Sequence, residues 1–211
     1  IELGKLKVNP CRDLKSLSQR DGERDAYISH DDYLIMLDEV ADWFKPIIQC
    51  AYLTGMRRNE IVELRKDHVI FEKRMIIIPA GHTKEYAWKR VPVCMELESV
   101  LKDSISQTDS RCGYVFTING HQTNPESFKR QWRLAVKNLE LKPRFHDLRA
   151  TWKVNARNSG IEEELRRSIM GHGNRSREVK ERYGRILDAE LVQAIDKMKY
   201  DFGPTVILTA K

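Results

Sequence analysis

Three short runs rich in β-branched residues lie in the middle of a chain that otherwise shows helical periodicity. They are "HVIF", "RMIIIP" and "KRVPV", within residues 68–93, and polar turns separate them. Runs of this length between turns are typical of strands in an antiparallel sheet. Since apolar residues recur at helical spacing on both sides, we predict an α+β fold that is mainly helical with one small antiparallel β-sheet.

Helix start and stop residues mark the segments that flank this sheet. Ser29 is a candidate N-cap, Pro46 opens a second helix that Gly55 should end, and Asn124 starts another after the sheet. We expect further helices in "RRNEIVEL", "MELESVLKDSI", "HDLRATWKVNARNSG", "IEEELRRSIMG", "SREVKERYG" and "DAELVQAIDKM".

Length and composition favour one soluble domain. The chain has 211 residues, of which 41% are hydrophobic, enough for a full core. Its apolar runs fall far short of the ~20 residues that cross a bilayer, so we expect a cytoplasmic location and no membrane partner. The four cysteines are scattered without the spacing of a metal site, which predicts reduced thiols and no bound metal.

Positive charge is concentrated in one part of the chain. The whole sequence carries +6, yet residues 129–185 hold sixteen Lys and Arg against seven Asp and Glu. A local basic region favours a polyanionic partner, since Lys and Arg contacts to phosphates supply most non-specific affinity for nucleic acid. Solvated helix faces are also often charged, so charge alone leaves both interpretations open.

Two pairs of residues, each one helical turn apart, are candidates for phosphate chemistry. Glu60 is three residues from Arg57, where its carboxylate would hold the guanidinium ready to bind phosphate through two hydrogen bonds. His146 and Arg149 in "FHDLR" would bring a proton-transfer group and a cation to one point. A surface ion pair and a structural histidine are the respective alternatives.

Three further residues have chemical potential but are individually weak signals. Lys84 lies in the loop "HTKEYAWKR" between two predicted strands, where a lysine can approach a substrate or simply be solvated. His172 follows a helix stop at Gly171, and Tyr183 lies eleven residues later among arginines. A phenol with a pKa near ~10 needs cations or a base beside it to act as a nucleophile.

The order of these residues resembles the catalytic domain of tyrosine recombinases of the phage-integrase type. The stretches "TGMRRNEIVELRKDHV" and "FHDLRATW" are close to sequence motifs of that family, and the resemblance extends across the chain. It implies a catalytic domain over residues 26–211 with a C-terminal tail at 199–211. Residues 1–25 are then expected to be a linker from a core-binding domain that this sequence lacks.

The resemblance also implies an activity. Tyr183 would attack a DNA phosphodiester and form a covalent 3′-phosphotyrosine intermediate, with no metal or nucleotide cofactor, and Lys84 rather than Lys89 would protonate the leaving oxygen. The implied catalytic residues are Arg57, Lys84, His146, Arg149, His172 and Tyr183, with Glu60 supporting Arg57. Residues expected to contact DNA are Arg58, Arg144, Lys153, Arg175 and Arg177.

The implied partners are double-stranded DNA at specific recombination sites and further copies of the chain. A homo-oligomer, a tetramer on paired DNA, is expected, while the isolated chain would be a monomer. Two other functions stay open: DNA relaxation in the manner of a type IB topoisomerase, and a non-catalytic DNA-binding regulator that kept the fold.

The C-terminal segment "TVILTA" is short, apolar and β-branched, and it follows a helix-breaking Gly203 and Pro204. We predict that Thr205 to Thr209 forms a strand on an edge of the small sheet, within its own protomer or on a neighbour.

Overall fold

The computed structural model of the chain describes residues 24–83, 86–171 and 186–209. The helices are α1 (His30–Asp38), α2 (Lys45–Thr54), α3 (Arg58–Val62), α4 (Met95–Gln107), α5 (Pro125–Ala135), α6 (Asp147–Asn158), α7 (Glu163–Ile169) and α8 (Asp188–Asp196). The strands are β1 (Arg24–Tyr27), β2 (Val69–Ile70), β3 (Met75–Ile78), β4 (Lys89–Pro92), β5 (Thr117–Ile118), β6 (His121–Gln122) and β7 (Val206–Thr209). The helix predicted in "SREVKERYG" lies outside the described residues.

The predicted helix boundaries rest on the caps that the sequence indicated. The Ser29 hydroxyl accepts a hydrogen bond from the backbone N–H of Asp32 at 3.1 Å, and this starts α1. Gly55 ends α2 with a φ of 63°, the left-handed conformation that glycine adopts most readily. Pro46 occupies the second position of α2 rather than the first, because the helix begins at Lys45.

The predicted central sheet has the strand order β2–β3–β4 and is antiparallel throughout, with Ile76 opposite Val91 in the β3–β4 hairpin. The mainly helical α+β class is therefore confirmed. The sequence prediction was incomplete, since it contained neither β1 nor the separate antiparallel pair of β5 and β6. β5 and β6 have two residues each, too few for alternation to be visible in the sequence.

The predicted C-terminal strand exists, but its predicted partner was wrong. β7 pairs antiparallel with β1 of the same chain, with Ala26 opposite Ile207. The Thr205 hydroxyl accepts from the backbone N–H of Ser29 at 2.7 Å, which brings the tail to the start of α1 and so to β1. α7 and α8 pack against β4, and β7 belongs to a separate two-stranded sheet with β1.

The core surrounds α2, which packs against α4 and α6. Trp152 on α6 is fully buried, and its indole N–H donates to the carbonyl of Leu53 at 3.1 Å. Its ring lies against the end of α2, where a Cβ added to Gly55 would meet Trp152 Cγ at 3.0 Å. The close contact fixes the position at which the chain leaves α2 and continues to Arg57. Among the described helices, none has the length and apolar character needed to span a membrane.

Candidate active site

Arg57 begins a short helix directly after the turn that ends α2. Its backbone N–H donates to Glu60 Oε2 at 2.9 Å, and its Nη1 donates to Glu60 Oε1 at 2.9 Å. The arginine side chain is 21% exposed while that of Glu60 is 3% exposed. A buried carboxylate thus holds a guanidinium that reaches the surface, as the spacing in the sequence predicts.

Arg149 is buried in α6, and its guanidinium donates to two backbone carbonyls. Nη1 donates to the carbonyl of Gly55 at 2.5 Å, and Nη2 donates to that of Met170 at 2.9 Å. These carbonyls belong to the ends of α2 and α7, so one cation joins three helices. Negative helix C-termini also favour a positive charge at this point.

His146 is the residue before α6, one turn from Arg149, and its side chain is exposed. Desolvation by the neighbouring protein atoms lowers the pKa of its imidazole below the ordinary value. The positive charges of Arg149 and Arg57 lower this pKa further, and the negative charge of Asp147 opposes them. A histidine with a lowered pKa is neutral at pH 7 and is able to accept a proton.

A cleft of about 480 Å³ brings Arg57 and His146 together, while the buried Arg149 is not among the residues that line it. Its wall is formed by α3, by His146 and by the loop that follows β3; the lining residues are Arg57, Arg58, Asn59, Glu60, Glu63, Gly81, His82, Thr83 and His146. The contributions of His82 and Thr83 were not predicted, although their position just before Lys84 in the hairpin loop could have indicated them. The cleft therefore combines cationic and proton-accepting groups, which suits a phosphate ester.

Three of the predicted catalytic residues, Lys84, His172 and Tyr183, lie outside the described residues, as do Arg175 and Arg177. Their sequence neighbours are described. Thr83 lines the cleft, and Gly171 packs against the side chain of Lys89. Their roles stay predictions.

Lys89, the hairpin lysine that was not expected to protonate the leaving oxygen, lies beside Glu60. Lys89 is the first residue of β4, is 2% exposed, and donates from Nζ to Glu60 Oε2 at 2.6 Å. Burial lowers its pKa to about 8, with Glu60 raising it and Arg149 and Arg57 lowering it. Strand alternation could have indicated this position, because Lys89 shares the inward face with the buried Val91.

The predicted DNA-contacting residues that the structure describes are all exposed. The Arg58 guanidinium lies 5.6 Å from the centre of the Phe128 ring and lines the cleft. Arg144 and Lys153 do not line the cleft. Their contact with DNA stays a prediction.

Tyr200, another tyrosine near the C-terminus, has an environment unsuited to a nucleophile. Its ring centre lies 5.3 Å from that of Tyr52, and burial raises the pKa of its phenol well above the ordinary range. The nearby Glu96 carboxylate and the Cys94 side chain raise it further. An activated tyrosine requires the opposite shift.

Comparison with known proteins agrees with this geometry. The profile of the phage integrase family matches residues 26–190, so the chain belongs to the phage integrase family. It is 24% identical over 184 residues to the integrase of Salmonella phage P22, covering 81% of this chain and 46% of that protein. It is 22% identical over 169 residues to the tyrosine recombinase XerA of Pyrococcus furiosus, covering 78% of this chain and 57% of that protein.

A solved structure of the Tn1549 transposon integrase in complex with transposon right end DNA has the same fold. It superposes with a TM-score of 0.59 at 18% identity, covering 91% of this chain and 72% of that chain. The present chain spans about half the length of the curated relatives it matches.

Proposed function

We propose that this chain is the catalytic part of a site-specific DNA recombinase that breaks and rejoins strands through a phosphotyrosine intermediate. The observation that carries the proposal is the cleft in which Arg57, fixed by Glu60, lies with His146 beside the buried Arg149. Family membership supports it, as does the ordered series of residues that continues to Tyr183.

Arg57 in the cleft and the buried Arg149 next to His146 carry charge opposite to that of a phosphodiester under attack. In that reaction the non-bridging oxygens carry growing negative charge, and fixed hydrogen-bond donors aimed at them stabilise it. Arg57 is fixed by a buried carboxylate, and Arg149 is fixed by two backbone carbonyls. Neither guanidinium needs to reorganise as the charge develops. His172 is proposed as a third donor to the same oxygens.

The proposed bond changes use one nucleophile and one leaving group. The Tyr183 oxygen forms a bond to phosphorus while the bond from phosphorus to the 5′ oxygen of the next nucleotide breaks. The phenolic proton passes to His146, whose lowered pKa keeps it neutral at pH 7 before the transfer. Lys84 gives a proton to the departing 5′ oxygen. Rejoining reverses these steps, and the energy of the broken ester is kept in the phosphotyrosine.

Lys84 is preferred to Lys89 as the proton donor because of the contacts that Lys89 makes. The Lys89 ammonium is buried and bonded to Glu60. It would have to break that bond before it could give a proton to a substrate. Lys84 directly follows the cleft-lining Thr83 in the sequence.

The proposed partner is double-stranded DNA, held in part by Arg58, Arg144 and Lys153 together with Arg175 and Arg177. Basic residues around a cleft supply non-specific affinity for phosphates. Assembly of several copies on paired sites is proposed for strand exchange, with the isolated chain as a monomer.

The test requires a DNA ligand, which the Tyr183→Phe variant can select because it binds without reacting. Duplexes bound by this variant are enriched from a randomised library and then incubated with the native chain. We expect a protein–DNA adduct that survives denaturation with the native chain and none with Tyr183→Phe. Exchange between two sites would support a recombinase, whereas adduct and relaxation of supercoiled DNA without exchange would indicate a topoisomerase. Binding without adduct would indicate a regulator and refute the proposal.

A further inference from the structure

Lys89 makes contacts that no exposed hairpin lysine would make. Its ammonium is 2.6 Å from Glu60 Oε2, and both side chains are almost fully buried, at 2% and 3% exposure. A Cβ added to Gly171 would lie 3.1 Å from Lys89 Cδ, so the chain just before His172 covers the lysine stem. The side chain therefore runs from β4 across the interior to the carboxylate.

Glu60 joins this lysine to the phosphate-binding arginine. Oε2 accepts from the Lys89 ammonium and from the backbone N–H of Arg57, while Oε1 accepts from the Arg57 guanidinium. The orientation of the guanidinium depends on where the carboxylate lies. The carboxylate in turn is held on its inner side by Lys89.

The charge balance explains why a cation is needed on the inner side. Burial opposes ionisation of Glu60, yet Lys89 and Arg57 together hold the pKa of this carboxyl below its ordinary value. A buried carboxylate without a partner would take up a proton or move towards solvent. Either change would weaken the hydrogen bonds that Arg57 donates to Glu60.

We propose that Lys89 is a positioning residue for DNA cleavage, acting through Glu60 to hold the Arg57 guanidinium in the cleft. The inference rests on the proposed function for its effect on cleavage, but its structural part concerns Arg57 alone. It assigns separate tasks to the two lysines of the hairpin: Lys84 would transfer a proton, and Lys89 would fix the arginine.

The experiment compares Lys89→Met with Lys102→Met. Lys102 forms an ion pair with Glu98 at the same 2.6 Å but is 56% exposed, so it controls for loss of a lysine charge and of an ion pair. Single-turnover cleavage is measured on a selected duplex with a normal scissile phosphate and on one with a 5′-bridging sulfur. We expect Lys89→Met to cleave both about 100-fold more slowly, since misplacing a substrate-binding group by ~1 Å costs that much. The affinity of Lys89→Met for the duplex should change little. Lys102→Met should cleave both duplexes at nearly the native rate.

Rescue of Lys89→Met by the sulfur-containing duplex would overturn the inference, because it would make Lys89 the proton donor. Normal cleavage by folded Lys89→Met would overturn it as well. If that variant does not fold, Glu60→Gln is compared with Glu60→Gln/Lys89→Met, in which no buried charge is left unpaired. If Lys89 acts through Glu60, the single and the double variant should cleave at the same rate. A much lower cleavage rate in the double variant would refute the mechanism.

A second measurement separates this inference from the proposed function. The side-chain Nε–Hε NMR signal of Arg57 should shift or broaden in Lys89→Met and stay in place in Lys102→Met. If the native chain forms no DNA adduct but the signal responds, the proposed function fails and the positioning contact stands. If the adduct forms and the signal is unchanged, only the positioning role is refuted.

Discussion

Replacing Gly55 with alanine tests whether the close contact between α2 and Trp152 fixes the active-site arginines. Gly55 has a φ of 63°, and a left-handed conformation costs a residue with a Cβ about 1–2 kcal/mol. The new methyl group would also meet Trp152 Cγ and Cδ2 at 3.0 Å. Since the indole is fully buried and bonded to Leu53, it cannot move aside easily, and overpacking of this kind costs about 1–3 kcal/mol.

The sum predicts a loss of roughly 2–5 kcal/mol in the free energy of unfolding for Gly55→Ala. At about 2–4 °C per kcal/mol for a domain of this size, the melting temperature should fall by roughly 4–20 °C. Gly160→Ala is a matched control, because Gly160 follows α6 with a φ of 76° and has nothing within 4 Å of an added Cβ. Its free energy of unfolding should fall only by the cost of the left-handed backbone conformation, about 1–2 kcal/mol.

Differential scanning calorimetry measures the stability of both variants, and the adduct assay measures their DNA cleavage. The Gly55 carbonyl accepts from Arg149 and the chain continues to Arg57, so Gly55→Ala should also cleave DNA more slowly at temperatures where it is folded. Gly160→Ala should cleave normally. Equal stability losses in the two variants would refute the claim that Trp152 is a rigid contact, and normal cleavage by Gly55→Ala would refute its link to the arginines.

Three other predictions follow from the contacts and pKa shifts. Lys84→Ala should cleave a normal duplex slowly and recover on a duplex with a 5′-bridging sulfur, whose leaving group needs no proton; no recovery would contradict its role as acid. Folding lowers the pKa of Lys89 from 10.5 to about 8, so the folded state binds fewer protons than the unfolded state between these values. The free energy of unfolding should therefore rise from pH 8 to 10.5 in the native chain relative to Glu60→Gln/Lys89→Met, and a parallel pH dependence would contradict this. Deleting residues 205–211 removes β7 and should lower the free energy of unfolding by about 2 kcal/mol and alter adduct formation; if neither changes in urea titration and adduct assays, the tail has no structural or regulatory role.

Local signals in the sequence were sufficient for the described α-helices and for the central sheet. Ser29 and Gly55 act within a few residues of their own position, so their capping roles can be read without knowledge of the fold. The same holds for the pairing of Arg57 with Glu60, which are one helical turn apart. These features are encoded by spacing alone.

The partners of β7 and Lys89 depend on tertiary packing and were not predictable in the same way. The sequence of β7 does not indicate which strand edge it joins, and only the folded chain brings it beside β1. Lys89 is 29 residues from Glu60, and only the folded hairpin brings the two together. A lysine near a loop looks solvated in a sequence, and its burial appears only when the helices that cover it are known.

The most direct test of the proposed chemistry is mass spectrometry of the DNA adduct after digestion with protease and nuclease. We predict that the native chain yields one modified peptide, within residues 172–185, with a nucleotide joined through its 3′-phosphate to Tyr183. Tyr200→Phe should give the same peptide, and Tyr183→Phe should give none. Modification at Tyr200 or at any residue other than Tyr183, or an adduct through the 5′-phosphate, would contradict the proposed mechanism.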